Sequence, residues 1–303
     1  MENFERRKEE FRSKAVLDQT TSPELIDMHT HIGQVQLDKV PVTAERLIEY
    51  MDRHNVDKAI VLPLESPESS SYMTTTRQVL QAADIYPSRL VPFCSIDPRT
   101  FDIEDEERYY TVLEGYVERG AVGFGEVKCG LTIDHRKMRL LYSLCSRYEL
   151  PILLHIDEKR CMDDVYLPKL ERMVRKFSDV DFILHAHGWW AHISSDVKEA
   201  DMAMYPDQPV QPDGRCDQLL TDFDNLYADF SMWSGFNALT RDRDYGETFL
   251  KRHHSSLLFG TDYLYPGQQP PQFGFFEEFD LETHMWEDIC YKNARRLVPE
   301  LAE

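Results

Sequence analysis

Short apolar runs alternate with amphipathic segments along most of this chain. Each apolar run predicts a buried strand, and each amphipathic segment after it predicts a helix. The predicted strands lie at 26–33, 58–64, 90–97, 121–128, 151–155, 181–187, 225–231 and 257–262. The predicted helices lie at 44–51, 74–86, 103–119, 137–149, 167–177, 218–223, 245–254 and 281–297. Thr43 stands directly before the first of these helices and is expected to cap it.

This alternation predicts an α/β fold in which eight parallel strands close into a (β/α)8 TIM barrel. An open doubly wound sheet is the competing fold, and the strand count favours the barrel. Residues 1–23 are polar and predict an N-terminal extension, with a surface helix at 3–14 and no assigned function, ahead of a barrel domain at 24–303. The long loop after strand six, at 188–214, is expected to cover the functional site.

Composition narrows the range of partners. The chain has 303 residues, 42% of them hydrophobic, which is enough for one barrel-sized core. Its 34 Lys and Arg against 54 Asp and Glu give a net charge of −20, which argues against nucleic acid or a membrane surface as partner. No apolar run is long enough for a transmembrane helix, the charged start is not a signal peptide, and the six cysteines are scattered. We therefore expect a cytoplasmic protein with reduced thiols and a small-molecule substrate; a homo-oligomer is compatible with the sequence.

The first predicted strand carries three polar side chains at alternate positions. Asp27, His29 and His31 are expected to share one face because side chains alternate along a strand. Two imidazoles so placed are able to hold one metal ion from one side, although paired structural histidines produce the same pattern.

Other apolar strands also end in residues that bind metals or transfer protons. These residues are Glu126 and Lys128 on strand four, His155 on strand five, His185 and His187 on strand six, and Asp262 on strand eight. Burial of such groups is costly unless they are paired, and barrel active sites lie at the carboxyl ends of the strands. We therefore expect one ring of imidazoles and carboxylates. It suits Zn²⁺, or another divalent ion such as Mn²⁺, with one ion expected rather than two and an open position for water.

Motifs spread along the chain resemble those of the amidohydrolase superfamily. The resemblance is to its amidohydrolase-related branch, which also holds the aminocarboxymuconate-semialdehyde decarboxylase-like enzymes, and it extends from about residue 24 onward. It rests on Ile26-Asp27-Met28-His29-Thr30-His31, on His155, on Ile183-Leu184-His185-Ala186-His187-Gly188, on Phe259-Gly260-Thr261-Asp262 and on Asn293-Ala294-Arg295-Arg296-Leu297.

The resemblance implies roles for the strand-end residues. His29, His31, His155 and Asp262 would hold the metal, Asp262 would also handle protons, and the strand-six histidine would bind metal or polarise the substrate. Either His185 or His187 fits that last position, and the His-Gly-Trp-Trp that follows favours His185.

Strand four leaves two interpretations open. In some superfamily members, a glutamate or a carboxylated lysine on this strand bridges two metals, which would make Glu126 a ligand. Alternatively, Glu126 and Lys128 pair with each other beneath the site.

The expected activity is that of a metal-dependent hydrolase. Metal-activated water, deprotonated by Asp262, would attack a carbonyl or ester carbon of a small organic substrate, and the ion and a strand-six histidine would stabilise the oxyanion. One alternative is a non-oxidative decarboxylase, a lyase acting on a carboxylated aromatic or enoic acid at the same site. Another is a metal-bearing barrel without catalysis.

Candidate substrate contacts come from the loops. Trp189 and Trp190, with Trp233, are expected either to line an aromatic pocket or to pack the loops together. Arg241 is a candidate clamp for a substrate carboxylate, with an ion pair to Asp242 or Asp244 as the alternative. Lys128 and His187 complete the expected substrate-binding set.

Overall fold

Eight parallel strands form the wall of the barrel in the computed structural model, which describes residues 2–14 and 24–302. The strands are β1 (Ile26–Thr30), β2 (Lys58–Val61), β3 (Leu90–Pro92), β4 (Phe124–Val127), β5 (Ile152–His155), β6 (Phe182–His185), β7 (Leu226–Asp229) and β8 (Leu257–Leu258). They pair in sequence order within two sheets, β1 to β3 and β4 to β8. Parallel bridges from Thr30 to Tyr263 and from Cys94 to Phe124 join the two sheets. The predicted (β/α)8 TIM barrel is confirmed.

Helices surround this wall. They are α1 (Glu2–Lys14), α2 (Ala44–His54), α3 (Thr76–Ile85), α4 (Glu106–Val117), α5 (Arg136–Arg147), α6 (Pro168–Lys176), α7 (His187–Ala191), α8 (Arg215–Asp222), α9 (Met232–Thr240), α10 (Arg243–His253), α11 (Phe275–Glu278), α12 (Thr283–Glu287) and α13 (Asn293–Leu297). The Thr43 hydroxyl caps α2 as predicted, accepting a hydrogen bond from the Arg46 amide at 3.3 Å. The sequence pattern missed α7 and α9, and α9 lacks an amphipathic period because nearly all of its residues are buried.

The barrel interior is filled and its amino end is closed. The inward-facing cluster includes Met28, Ile60, Phe93, Leu153, Ile183 and Leu258, which come from different strands. Leu297, Val298 and Leu301 join this cluster, and the Lys58 ammonium at the start of β2 donates to the Leu301 carbonyl at 3.2 Å. The carboxyl ends of the strands therefore remain as the face that carries the functional side chains.

Two local irregularities change which residues share a face. The pairing of β1 with β2 shifts register between Asp27 and Thr30. Asp27 accordingly bonds to Tyr50 of α2 and to Thr261, so the expectation that it shares a face with His29 and His31 is wrong.

The second irregularity follows β6. This strand ends at His185, and Ala186 turns the chain with a φ of 80° so that His187 begins α7. His185 and His187 are therefore not neighbours on one face of a strand, as their spacing had suggested.

The connection after β6 is ordered rather than structureless. It contains α7 and a 3-10 turn at Glu199–Ala203, and α7 packs against this turn and against α9. Within the described part of the chain, no helix combines the length and apolar character needed to cross a membrane.

The N-terminal helix α1 is part of the folded domain rather than a bare surface helix. Phe11 is fully buried and meets the rings of Phe236 and Phe275 edge-on, with centroids 5.1 and 5.8 Å away. The Arg7 guanidinium donates to the Asn237 side-chain oxygen at 2.6 Å. The part of the predicted 1–23 extension that forms α1 is thus packed against the rest of the domain. Residues 15–23 lie outside the described residues.

This docking predicts that Phe11→Ala destabilises the whole protein. Loss of a fully buried phenylalanine leaves a cavity and is expected to lower the free energy of unfolding by about 3–5 kcal/mol. Urea unfolding followed by fluorescence measures the change. Leu37→Ala, at a side chain that is 65% exposed, is the control and should stay within about 0.5 kcal/mol of the wild type. A wild-type midpoint for Phe11→Ala would contradict the docking.

Candidate metal centre

Four buried side chains from three strand ends converge at the carboxyl face of the barrel. His29 and His31 lie at the end of β1, Glu126 lies on β4, and Asp262 follows β8. The Nε2 atom of His31 is 3.4 Å from Glu126 Oε2 and 3.3 Å from Asp262 Oδ1. The Nε2 atom of His29 is 3.7 Å from each of the same two oxygens.

These four facing atoms share an unusual property. His29 Nε2, His31 Nε2, Glu126 Oε2 and Asp262 Oδ1 are all buried, and none makes a hydrogen bond in the described structure, although Glu126 Oε2 forms an ion pair with Lys128. A divalent ion with tetrahedral bonds of about 2.0–2.1 Å holds its ligand atoms about 3.3–3.4 Å apart. The four imidazole-to-carboxylate distances, 3.3–3.7 Å, are close to this separation.

The groupings of potential ligands describe one centre. His29, His31 and Asp262 form one set whose ligand atoms lie within 4.8 Å of one another, and His29, Glu126 and His185 form another. Both sets use His29, whose Nδ1 atom contacts Asp229, so only its Nε2 atom faces an ion and the two sets share that atom.

The electrostatics of the centre favour a cation. Burial raises the pKa of Glu126, but Lys128 and His29 outweigh burial and hold this pKa well below its ordinary value. Burial also raises the pKa of Asp262, and His29 is the main group that brings it below the ordinary value. Conversely, burial lowers the pKa of His29, yet Asp229, Asp262 and Glu126 together raise it well above its ordinary value. The carboxylates are thus ionised, and their combined charge draws positive charge into the ring.

Local backbone contacts place Asp262 in this ring. Its amide donates to the His29 carbonyl at 2.8 Å, which fixes the acid beside β1. Gly260 lies below it, where a Cβ atom would stand 3.1 Å from the His29 Cβ and 3.5 Å from the Asp229 Cβ. A side chain at this position would therefore press on the ring.

Lys128 forms the pair with Glu126 that was the second interpretation of strand four. Its ammonium is 2.6 Å from Glu126 Oε2. Its charge also contributes to the lowered pKa of Asp262, so the ammonium acts on both carboxylates of the ring.

His155 lies at the edge of the ring, where both of its nitrogens face carboxylates. Its Nδ1 atom is 2.8 Å from Glu126 Oε1, and its Nε2 atom is 3.1 Å from Asp157 Oδ2. It contributes to neither of the tight ligand groupings. The geometry thus gives His155 as the partner of Glu126, and its assignment as a metal ligand stays a prediction.

Two acids in this region were missed by the sequence analysis. Asp229, at the end of β7, lies 2.9 Å from His29 Nδ1 and 3.0 Å from His185 Nδ1 through its two oxygens. Asp157, just beyond β5, contacts His155 and accepts from Arg160 at 2.7 Å. Asp229 ends an apolar strand in the same way as the residues that were selected, so the same signal was available for it.

His187 stands near the ring with an aromatic partner from the long loop. Burial, together with the nearby His155 and His185, lowers the pKa of His187 to about 4. Its ring centroid is 4.6 Å from that of Tyr205, whose pKa is raised to about 12 by burial and by the charge of Asp262. Phe4 of α1 stacks on Tyr205 at 4.7 Å, so the loop and α1 together form one wall beside the centre.

The expectation that Trp189 and Trp190 line a substrate pocket is wrong. Trp189 and Trp190 are 0% and 2% exposed and belong to the hydrophobic core outside the barrel wall. Trp190 meets Phe249 of α10 edge-on at 6.1 Å and donates from its indole nitrogen to the Asp229 carbonyl at 2.9 Å. These apolar rings are buried by packing between helices, which was the alternative interpretation of the sequence.

Arg241 is also placed differently from the expected substrate clamp. Its guanidinium donates to the Pro206 carbonyl of the long loop at 3.4 Å. Burial lowers its pKa, and the acids that oppose this effect most strongly are Asp196 and Asp201 of the same loop. Arg241 therefore fastens the loop, because the acids that attract it lie there and not at the ring.

This fold and site define a TIM-barrel protein with a candidate metal centre at its carboxyl face. The chain belongs to the amidohydrolase family, because the family model described as Amidohydrolase matches residues 26–299. Members of this family are metal-dependent enzymes, and they include both hydrolases and decarboxylases. No curated protein matches this sequence.

Solved structures similar to this chain support the barrel. An uncharacterised TIM-barrel protein from Bordetella bronchiseptica is 15% identical, with a TM-score of 0.66 over 93% of this chain and 100% of that one. A probable 2-pyrone-4,6-dicarboxylic acid hydrolase from Acinetobacter baumannii, with citric acid bound, is 15% identical, with a TM-score of 0.60 over 91% and 99%. The 5-carboxyvanillate decarboxylase from Novosphingobium aromaticivorans, complexed with manganese and 4-hydroxy-3-methoxy-5-nitrobenzoic acid, is 13% identical, with a TM-score of 0.60 over 92% and 97%. At such low identities these likenesses show the fold and leave the reaction open.

The centre predicts that the purified protein carries metal. Protein prepared without chelator is expected to contain about one divalent ion per chain by elemental analysis. Because an ion that binds only the folded state stabilises it, free ion at about 100 times its Kd should add about 2.7 kcal/mol to the free energy of unfolding. Thermal unfolding before and after chelation measures this change. Finding no ion, and no effect of chelation or of added ion on unfolding, would contradict a metal centre.

Proposed function

We propose that this protein is a metal-dependent hydrolase that adds water to a carbonyl or ester carbon of a small organic substrate. The observation that carries the proposal is the set of four buried atoms from His29, His31, Glu126 and Asp262 that face one another and make no hydrogen bond in the described structure. Zn²⁺ is the proposed ion, and Mn²⁺ is the second choice because the similar decarboxylase is complexed with manganese. A divalent ion at this position polarises a carbonyl oxygen and lowers the pKa of water to about 7.

Residues around the ion would carry out the proton transfers. Asp262 Oδ1 faces His31 Nε2, and its other oxygen, Oδ2, lies 3.9 Å from His185 Nε2. A carboxylate that is ionised and has a second oxygen to offer is able to accept the proton of the attacking water and return it to the leaving group. Glu126 stays ionised beside Lys128 and so adds charge to hold the cation.

Side chains beside the metal centre would position the substrate. The Lys128 ammonium is the cation nearest the four ring atoms and would attract an anionic group of the substrate. The side of the ring formed by His187 and Tyr205 would accept a flat, apolar part of the same molecule. A small, planar organic acid or its lactone is the substrate class that these groups favour.

Decarboxylation at the same centre is the second candidate. It is supported by the similarity to 5-carboxyvanillate decarboxylase and to 2,6-dihydroxybenzoate decarboxylase, the latter with a TM-score of 0.55. The same metal centre would bind the substrate carboxylate. Asp262 would take a proton from water and pass it to the substrate carbon from which carbon dioxide leaves.

One assay distinguishes these reactions. Metal-loaded protein is incubated with lactones, amides and aryl carboxylic acids while acid release and carbon dioxide release are both recorded. Acid release that stops on chelation and returns with Zn²⁺ or Mn²⁺ supports the hydrolase. Carbon dioxide release supports the second candidate, and bound metal without turnover on any substrate favours a binding protein.

A further inference from the structure

A single carboxylate contacts both histidines that are nearest to β7. Asp229 is fully buried, with Oδ2 facing His29 Nδ1 at 2.9 Å and Oδ1 facing His185 Nδ1 at 3.0 Å. The two imidazole centroids are 4.5 Å apart, and the ring nitrogens that do not contact Asp229 face the metal centre.

We propose that Asp229 is a positioning residue that fixes His29 and His185 in the same tautomer, with the proton on Nδ1 and a lone pair on Nε2. An ionised carboxylate only accepts hydrogen bonds, so each Nδ1 atom must carry the donated proton. In a neutral imidazole the other nitrogen then presents its lone pair to the centre. This inference rests on the proposed metal centre but not on the reaction that occurs there.

Ser231 reinforces the same assignment. Its hydroxyl donates to Asp229 Oδ1, and its amide donates to the same oxygen at 3.0 Å. Its oxygen lies 3.0 Å from His185 Nδ1 and 3.3 Å from His29 Nδ1. Because the hydroxyl hydrogen is already used, this oxygen also accepts from the imidazoles.

Hydrogen bonds hold both the backbone and the side chain of Asp229. The Trp190 indole nitrogen donates to the Asp229 carbonyl at 2.9 Å, and the carboxylate is enclosed by the two imidazoles and Ser231. Asp229 is thereby held in one orientation toward both rings, which is the requirement for a partner that sets a tautomer.

This tautomer has a consequence for His185. Neutral His185 with its proton on Nδ1 has no hydrogen at Nε2 to give to an oxyanion. It therefore acts toward the centre as a ligand or as a proton acceptor. The sequence led us to expect that a strand-six histidine donates a hydrogen bond to an oxyanion. Neutral His185 in this tautomer would instead accept a proton, or bind the ion, at Nε2.

Asp229→Asn tests the inference because an amide accepts through its oxygen but donates through its nitrogen. The amide nitrogen must replace one of the two carboxylate oxygens, so it faces either His29 or His185, and the imidazole that it faces loses its acceptor. In the metal-free variant, at a pH at which both imidazoles are neutral, the proton of that imidazole is expected to move from Nδ1 to Nε2. Histidine-selective ¹⁵N NMR detects the move, and the signals are assigned by their loss in His29→Asn and His185→Asn.

Zn²⁺ affinity gives a second measurement. Competition with a chromogenic chelator should show a Kd that is weakened by about 10–100-fold in Asp229→Asn, the range for partners of metal ligands. Asp27→Asn is the matched control, since Asp27 is also fully buried and lies on β1, but its side chain bonds to Tyr50, to Thr261 and to the His29 backbone amide and contacts no imidazole. Its Kd should stay within a few-fold of the wild type.

The outcomes separate the inference from the proposed function. Nδ1 protons retained on both His29 and His185 in metal-free Asp229→Asn, or equal loss of affinity in Asp27→Asn, would overturn the positioning by Asp229. If the wild type binds no Zn²⁺, the metal centre fails, and the tautomers of the two histidines in the metal-free protein still decide the inference.

Discussion

Asp262→Asn is expected to lower turnover by a factor of about 100 or more while leaving the metal content near that of the wild type. The amide keeps the size of the side chain and one oxygen toward His31, where Asp262 Oδ1 now lies 3.3 Å from Nε2. It loses the basicity that a proton acceptor needs. Because the charges around Asp262 keep its pKa below the ordinary value, the wild-type group is ionised and ready to accept a proton at neutral pH.

The measurement combines kcat on the best substrate of the panel with elemental analysis of the same preparation. Asp27→Asn serves as control, since it removes the charge of another buried carboxylate, one that contacts no ring side chain, and keeps an oxygen to accept from the His29 and Thr261 backbone amides; its kcat should stay close to that of the wild type. A variant of Asp262 that keeps both its metal and most of its turnover would show that Asp262 is not the base. His185 would then be the next residue to change.

His31→Ala and His29→Ala are each expected to weaken metal binding by more than about 100-fold, beyond the usual effect of losing a partner of a ligand. Each variant removes one of the four buried atoms that face one another in the ring. His31 is held for this purpose by its Nδ1 atom, which donates to the Leu62 carbonyl at 2.9 Å. Loss of either ligand leaves only one imidazole between Glu126 and Asp262.

Zn²⁺ titration measures the loss, and unfolding of the metal-free proteins separates it from misfolding. His192→Ala is the control, since His192 is equally buried but contacts the Gly188 carbonyl and the Tyr166 amide of the connection between β5 and α6. It should bind Zn²⁺ with wild-type affinity. Full occupancy in His29→Ala and His31→Ala at limiting Zn²⁺ would exclude these histidines as ligands.

The sequence could predict the residues of the ring because each one interrupts an apolar strand. Parallel strands bring their carboxyl ends together, so His29, Glu126 and Asp262 had to meet if the barrel closed. The bounds of the strands were less predictable, since regular pairing stops at a register shift in β1 and at a left-handed residue, Ala186, after β6. Such breaks depend on contacts with neighbouring strands and leave little trace in the hydrophobic pattern.

Other features depended on contacts between distant segments. The aromatic loop residues Trp189 and Trp190 carry the same signal whether they face a pocket or a helix, and only the position of α10 decides between the two. Likewise, the polar composition of the first residues gave no indication that Phe4 and Phe11 are buried. A few apolar residues on a charged helix suffice for docking when a complementary surface exists.

The docked position of α1 has a consequence for the order of folding during synthesis. Arg7 and its partner Asn237 are 230 residues apart, and Phe11 packs on residues of α9 and α11. At about 5–20 residues per second, α1 leaves the ribosome about ten seconds or more before these partners exist. Phe4 and Phe11 must therefore remain without their final contacts in the nascent chain, and the wall of Tyr205 beside the metal centre is completed only when α9 and α11 have folded.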